Sequence, residues 1–327
     1  MFKRILASKK AIFHEESTRF MLFTGLKVMF VSLVITIILF YLLWLIVSIN
    51  SAFFEASNYK GVDALREAYM DFITSELFEV IPLASIFFFF LFFSGVYLGK
   101  LLLRPFSIIG DYCQKVIEDK NIPYEPDQFS DFKLLTRFSD FFFTYLLECR
   151  EEGYLKTNTI PSQFTKIRKP QFDKIFFFHF LLYILIICAV SSVILSNVAT
   201  SIYLKIVELA LAHISSQSMS INHFVSSQTD IIDTIITSTI ALQAVCYTFL
   251  SYHLYAKVSG ASFGFFATMK SFMKGNYDSR VHLIGYNHIR PFSRAFNQYL
   301  DFIAENFADR KVLKTKKIGP ISLANND

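Results

Sequence analysis

The sequence predicts an all-α integral membrane protein with four transmembrane helices in two duplicated halves. Three observations predict this class. Apolar residues make up 53% of the 327 residues, and Phe alone occurs 39 times, which leaves too little polar side chain for an ordinary soluble domain. Four apolar runs are each long enough to cross a bilayer, which needs about 20 residues. The order of span, short outer segment, span and amphipathic helices then occurs twice.

The four predicted spans are the apolar runs 28–49, 80–103, 175–199 and 231–255. The fourth run is the most polar, since Gln243 and several Ser and Thr residues interrupt it. The first run is longer than a normal signal-peptide core, and no small-residue cleavage site follows it near Asn50. We therefore interpret it as an uncleaved membrane anchor.

The distribution of Lys and Arg predicts the orientation. Segments 1–27, 100–174 and 257–327 hold six, twelve and eleven of these residues, whereas 50–79 and 200–230 hold two and one. The positive-inside rule then places both termini and the central segment in the cytoplasm. The predicted protein is a multi-pass protein of the cell inner (plasma) membrane, and the net charge of +5 follows from topology without a nucleic-acid partner.

The two outer segments, 50–79 and 200–230, are too short for a domain that encloses a small-molecule pocket. In the first, Val62, Leu65 and Tyr69 recur at helical spacing, which predicts one amphipathic helix. Each segment is a possible contact for a periplasmic or membrane partner.

The changes in composition along the chain predict the boundaries of its parts. The predicted parts are 1–27 (basic lead-in), 28–103 (first transmembrane hairpin with a short outer helix), 104–151 (first helix–connector–helix unit), 152–174 (linker), 175–255 (second hairpin), 256–308 (second helix–connector–helix unit) and 309–327 (basic tail).

The second helix–connector–helix unit has two apolar seams. Apolar or small side chains recur every three or four residues at Val258, Ser262, Phe265, Met269 and Phe272, and again at Ile289, Phe292, Phe296, Tyr299 and Ile303. This period of about 3.5 is typical of packed helices. Between the seams, Gly275 and Asn276 can end a helix, because both residues adopt left-handed geometry at low cost.

This unit resembles the HAMP linker of bacterial membrane sensors. The run from Gly275 and Asn276 through Arg280 to Val281 is similar to the family's "G-N/D-aromatic-x-x-R-V" turn. The run Arg294-Ala295-Phe296-Asn297 is similar to its second-helix "R-x-F-N" motif. The entry proline and the Asp-Glu pair of the family are absent from this copy.

The first helix–connector–helix unit resembles the same family through features that the second unit lacks. It has an entry proline at Pro105, followed by a seam that begins at Phe106, and a "D-x-x-x-L-x-R-F" second helix that contains Asp131, Leu135 and Phe138. The glycine turn is missing, and Ser139 replaces the family's Asn.

The resemblance implies a fold and a function. In the family, two subunits pair their helices into a parallel four-helix bundle. Because one chain here carries four such helices, we expect a fused, monomeric pseudo-dimer; a homodimer with eight spans is the alternative. The implied function is a membrane signal relay or adaptor, in which an unknown cytoplasmic output protein responds to packing changes of the bundle. We expect 301–317 to be the contact surface for that protein; the alternative is that its basic end only solvates the end of a helix and favours the helix dipole.

Other function classes have less support in the sequence. No phosphate-binding loop, nucleophile elbow or zinc-protease motif is present, so we predict that the chain is not an enzyme and that it has no catalytic residue, cofactor or metal ligand. The four Cys residues predict no disulfide framework. A transporter or a structural subunit of a membrane complex remains the alternative, with Gln243 as the notable polar residue within a span.

Overall fold

The computed structural model describes residues 16–56, 61–118, 122, 124–125, 133–165, 174–213 and 219–307. Within them, all regular structure is helical. The helices are α1 (Glu16–Ala56), α2 (Val62–Glu118), α3 (Lys133–Glu152), α4 (Ser162–Thr165), α5 (Lys174–His213), α6 (Met219–Met273) and α7 (Arg290–Phe307), with a 3₁₀ turn at Asn287–Ile289 before α7. Asp131, most of the basic lead-in and the basic tail 309–327 lie outside the described residues.

Among the described residues, α1, α2, α5 and α6 are long and apolar enough to cross a membrane. For the described residues, the prediction of an all-α fold with four helices able to span a membrane is thereby confirmed. The helices are longer than predicted, because each outer segment continues into its span. Helix α2 also runs through Pro105, which was expected to start a separate helix. A proline removes one hydrogen bond from a helix, and the buried Leu103 and Phe106 hold the segment on both sides of it.

The chain forms two compact units. The membrane unit consists of Met21–Gly99 and Phe180–His253, and the bundle unit takes in Met1–Phe20, Lys100–His179 and Leu254–Asp327. Helices α2 and α6 each contribute to both units without a break in the helix.

Close contacts fix the register of the helices in the membrane unit. A Cβ placed on Gly95 of α2 would lie 2.7 Å from the Cα of Gly25 of α1. Gly95 belongs to a Gly-x-x-x-Gly motif with Gly99, a spacing that lets membrane helices approach closely. In the same unit, the Ser32 and Ser191 hydroxyls are 3.2 Å apart and join α1 to α5.

In this register, most exposed apolar side chains of the membrane unit form one belt. On α1, exposed apolar side chains occur from Phe23 to Ile49, a length of roughly 40 Å at about 1.5 Å per residue, which is enough to cross a hydrocarbon core of about 30 Å. Exposed aromatic side chains occur toward both ends of the belt, with Trp44 toward one end and Tyr97 and Tyr252 toward the other, as is common at membrane interfaces. The belt on α1 begins a few residues before the predicted run 28–49.

Beyond the belt, the helices continue and share a buried core. On α2, Leu65 and Tyr69 are fully buried, and Val62 packs against the same cluster. The helical spacing in segment 50–79 therefore marks a packed helix face, since α5 contributes Tyr203 and Ile206 to the same core.

Candidate functional site

The turn that ends α6 has the geometry of a Schellman cap. Gly275 has a φ of +93°, in the left-handed region that favours glycine. Its N–H donates to the Phe272 carbonyl at 3.0 Å, and the N–H of Asn276 donates to the Ser271 carbonyl at 3.2 Å. These two bonds satisfy carbonyls that the helix end would otherwise leave without partners.

The connector that follows the turn is tied to α7 by side-chain contacts. The N–H of Val281 donates to Oδ1 of Asn297 at 2.8 Å, and Nδ2 of Asn297 donates to the Val281 carbonyl at 3.0 Å. The Arg280 guanidinium binds Asp301 through Nε at 2.7 Å and also donates to the Tyr277 carbonyl. The turn motif and the second-helix motif, about 20 residues apart in sequence, thus meet in space.

The first unit has a contact in the equivalent place. Ser139 lies 158 positions before Asn297, and its hydroxyl is 2.8 Å from the Tyr124 hydroxyl in the first connector. Burial raises the pKa of Tyr124, and the hydrogen bond to Ser139 partly opposes that change. Ser139 therefore also holds a connector to its helix.

The core of the bundle unit is built from aromatic rings of four helices. Phe106 of α2 meets Phe265 of α6 with ring centroids 5.4 Å apart. Phe296 of α7 lies 5.3 Å from Phe265 and 6.0 Å from Phe142 of α3. The rings of both halves of the chain thus share one core. A single pair of helices could not bury its apolar faces from water in this way.

The structure places the predicted site residues as follows. Phe106, Leu135, Phe138 and Phe296 are fully buried in the bundle core, Phe292 is half-buried against the backbone of Gly110, Pro105 lies inside α2, and Gly275, Asn276, Arg280 and Asn297 form the turn and its contacts. Asp131 lies outside the described residues.

The linker after α3 is a part of the bundle that sequence reasoning missed. The N–H of Leu155 donates to the carbonyl of Phe307 at the end of α7, and the N–H of Asn158 donates to the carbonyl of Met273 at the end of α6, both at 3.0 Å. The Tyr145 hydroxyl of α3 donates to the Lys156 carbonyl at 2.6 Å. Burial raises the pKa of Tyr145. Backbone contacts leave no side-chain pattern in a sequence, so only a helix stop at Gly153 was predictable.

His288 lies at the start of α7, where its imidazole stacks on Phe20 with ring centroids 4.3 Å apart. Its Nε2 is 3.1 Å from the Lys257 carbonyl of α6. Burial lowers the pKa of His288, and the positive charge of Lys257 lowers it further; the hydrogen bond to the carbonyl and the charge of Glu16 act in the opposite direction. The neutral imidazole is therefore favoured.

The membrane unit contains a buried polar network. Gln243 of α6 donates to the hydroxyls of Ser32 and Ser191 and accepts a hydrogen bond from Ser192 at 3.2 Å. The Tyr247 hydroxyl contacts Ser32 at 2.7 Å. All five residues are buried, and none is charged at neutral pH. Such a network joins membrane helices through hydrogen bonds.

Within the described ranges, no group of three or more His, Cys, Asp or Glu residues is arranged to hold a metal ion. No protein-family model, curated protein or solved structure matches the chain.

Proposed function

We propose that the protein is a membrane signal-relay or adaptor protein, in which the packing of the bundle unit is the output that a cytoplasmic partner reads. The observation that carries this proposal is the continuity of α2 and α6. Each is one unbroken helix that contributes residues to the membrane unit and also seam residues to the bundle unit. An unbroken helix can carry a rotation or an axial shift along its length, and a packed bundle can respond by changing between alternative arrangements.

We further propose that the chain is a fused pseudo-dimer. Ser32 and Ser191 are 159 positions apart and are in contact in the membrane unit. Phe106 and Phe265 are also 159 positions apart, since 265 minus 106 is 159, and their rings meet in the bundle unit. In a symmetric dimer, equivalent residues meet at the two-fold axis, so two contacts at the same spacing support a pseudo-two-fold relation between the halves. Light scattering of the detergent-solubilised protein, corrected for detergent, is expected to give a mass near the 37.8 kDa of one chain.

The resemblance to HAMP linkers supports a conformational role for this bundle. Its core is rich in Phe, and cores of large, loosely specified side chains admit alternative packings more readily than tightly interlocked ones. The predicted contact surface 301–317 begins on α7, whereas its basic end lies outside the described residues.

The proposal is tested by asking whether the bundle responds to the membrane. The full chain is placed in nanodiscs of short-chain and long-chain lipids, and amide hydrogen exchange is measured for segments 154–161 and 276–288. A relay predicts exchange rates that differ several-fold between the two thicknesses. Gly275→Val, which strains the cap by on the order of 1 kcal/mol, is expected to raise exchange in both lipids and to reduce the difference.

Gly285→Val is the matched control. Gly285 also has a positive φ, of +82°, but a Cβ there would meet no atom within 4 Å, whereas at Gly275 it would lie 3.1 Å from the Thr157 side chain. Because valine is strained at this φ as well, the control is expected to raise exchange within 276–288 in both lipids alike, to leave 154–161 unchanged, and to keep the dependence on lipid thickness. If bundle exchange is identical in both lipids while exchange at the helix ends of the membrane unit changes, the relay proposal is wrong and a structural subunit is favoured.

A further inference from the structure

The membrane unit has an open apolar groove between α1, α2 and α5. The groove is open on one side, and its space of about 450 Å³ includes the part open to the surroundings. Its walls are almost entirely apolar and include Phe40 and Trp44 of α1, Ile73, Glu76 and Val80 of α2, and Ile206 of α5.

The groove lies at one edge of the exposed apolar belt. The half-buried Phe40 and Val80 line it together with Trp44; the exposed apolar side chains of α1 continue to Ile49, and on α2 Glu76 follows just beyond the exposed Phe78. This edge faces the α1–α2 connection, which is the outer leaflet in the predicted orientation. A groove at this level has hydrocarbon beside one end and lipid headgroups beside the other.

The polar end of the groove carries a fixed ion pair. The Lys205 ammonium of α5 contacts the Glu76 carboxylate and lies 5.8 Å from the centroid of the Phe72 ring. The pair is only partly covered, because the Lys205 side chain is 51% exposed and that of Glu76 is 19% exposed. An ammonium has three donors and a carboxylate about four acceptor sites, so each group keeps capacity for a further bond.

We propose that this groove binds one phospholipid with a zwitterionic primary-amine headgroup. One acyl chain occupies the apolar groove beside Phe40 and Val80, the phosphate accepts a hydrogen bond from Lys205, and the amine donates to Glu76. Apolar walls form no hydrogen bonds with water, so an acyl chain is a more favourable occupant of this groove than water. The site does not rest on the proposed relay function, because the binding is a property of the membrane unit alone.

The local charge distinguishes this lipid class from anionic lipids. Glu79 and Glu208 act on Lys205 electrostatically in addition to Glu76. Three carboxylates beside one ammonium give the headgroup end a net negative charge, which disfavours a headgroup with net negative charge. A headgroup that carries one phosphate and one ammonium matches the pair without adding net charge.

The single Trp of the chain gives a direct assay, because Trp44 lines the groove. The purified full chain in detergent is titrated with phosphatidylethanolamine that carries brominated acyl chains, which quench Trp fluorescence on contact. Saturable quenching is expected, and unbrominated phosphatidylethanolamine is expected to reverse it. Brominated phosphatidylglycerol is expected to require at least about tenfold more lipid for half-saturation, the effect of about 1.4 kcal/mol.

Variants locate the binding. Lys205→Ala, at an exposed position, is expected to weaken binding about tenfold without loss of helix content, and Val80→Phe is expected to reduce the maximum quenching by filling the groove. Glu67→Gln, an exposed carboxylate of α2 that is not among the residues lining the groove, is the control and should bind as the wild type does. The proposal is wrong if quenching rises linearly without saturation, if phosphatidylglycerol binds equally well, or if Lys205→Ala and Val80→Phe both leave the titration unchanged.

Discussion

The side chain of Asn297 binds both backbone polar groups of Val281, one as acceptor at 2.8 Å and the other as donor at 3.0 Å. Val281 is almost fully buried, with 4% of its surface exposed. Its N–H and C=O are therefore removed from water and need partners. One amide side chain supplies both, because it has an acceptor and a donor on the same planar group. This contact fixes the connector to α7.

Asn297→Ala is expected to loosen the connector. The substitution leaves two buried backbone groups without partners, which costs about 1–3 kcal/mol for each unsatisfied group. Hydrogen exchange of the Val281 amide is expected to become at least tenfold faster, as measured on peptides that cover 276–288. Asn297→Asp keeps the acceptor and loses the donor, so its effect is expected to be smaller.

Asn306→Ala is the control for this prediction. Asn306 is an exposed Asn on the same helix, and its Nδ2 donates only locally, to the Phe302 carbonyl at 2.7 Å. Exchange at Val281 should stay at the wild-type rate. If Asn297→Ala behaves as this control does, the connector is held by other contacts, such as the ion pair between Arg280 and Asp301.

The sequence predicts the buried faces of the seam helices more reliably than it predicts the pairing of those helices. The spacing of Phe265 and Phe272, or of Phe296 and Tyr299, marks an inward face because the helical period fixes which side chains share a side. The partner of each face depends on tertiary register. The contact between Phe106 and Phe265 follows from the sequence only through the hypothesis of a fused pair, which rests on the resemblance.

Two other features were not predicted for different physical reasons. Gly95 and Gly99 were visible as a Gly-x-x-x-Gly spacing, but the spacing alone does not say which helix approaches them. The linker contacts at Leu155 and Asn158 use backbone atoms, which every residue except Pro possesses. A sequence pattern therefore cannot distinguish this packed linker from a free one.

Tyr145→Phe is expected to release the linker from α3. The tyrosine hydroxyl donates to the Lys156 carbonyl at 2.6 Å, and a buried neutral hydrogen bond contributes about 1 kcal/mol. Exchange of amides in 154–161 is expected to rise about fivefold, while exchange at Val281 stays nearly constant. Tyr154→Phe is the control, since Tyr154 is in the same linker and its side chain is exposed. Equal amide exchange of 154–161 in both variants would contradict the prediction that the Tyr145 hydrogen bond holds the linker to α3.

Gln243→Leu is expected to weaken the membrane unit modestly and to change nothing else. Its side chain contacts Ser32, Ser191 and Ser192, and hydrogen bonds between membrane helices average about 0.6 kcal/mol each. The thermal unfolding midpoint, followed by tyrosine and tryptophan fluorescence in detergent, is expected to fall by a few degrees. Thr248→Val on the exposed face of α6 is the control, because Thr248 bonds only to the Ala244 carbonyl of its own helix.

The same variant tests the transporter alternative. If the protein is a relay in which the Gln243 network only joins helices, wild-type protein in proteoliposomes is expected to give no proton or potassium flux above that of protein-free liposomes. A measurable flux that Gln243→Leu abolishes and Thr248→Val preserves would favour a carrier over a relay.

Acidification is expected to destabilise the bundle unit through His288. The pKa of His288 in the folded protein lies below its ordinary value of 6.5, first because of burial and then because of the Lys257 charge. The folded state therefore binds fewer protons than the unfolded state at pH values between the lowered pKa and 6.5. The stability contribution is fully present above pH 6.5 and falls as the pH is lowered through 6.5 toward the lowered pKa.

The measurement compares the unfolding midpoint at pH 7.5 and pH 5.5 in wild type and in His288→Gln. Glutamine can donate to the Lys257 carbonyl as the imidazole does, but it does not titrate in this range. The loss of stability at pH 5.5 is expected to be smaller in His288→Gln than in wild type. His282→Gln changes an exposed histidine of the connector and should keep the wild-type pH dependence. If His288→Gln also keeps it, protonation of another group causes the acid sensitivity, and the stack on Phe20 tolerates the charged ring.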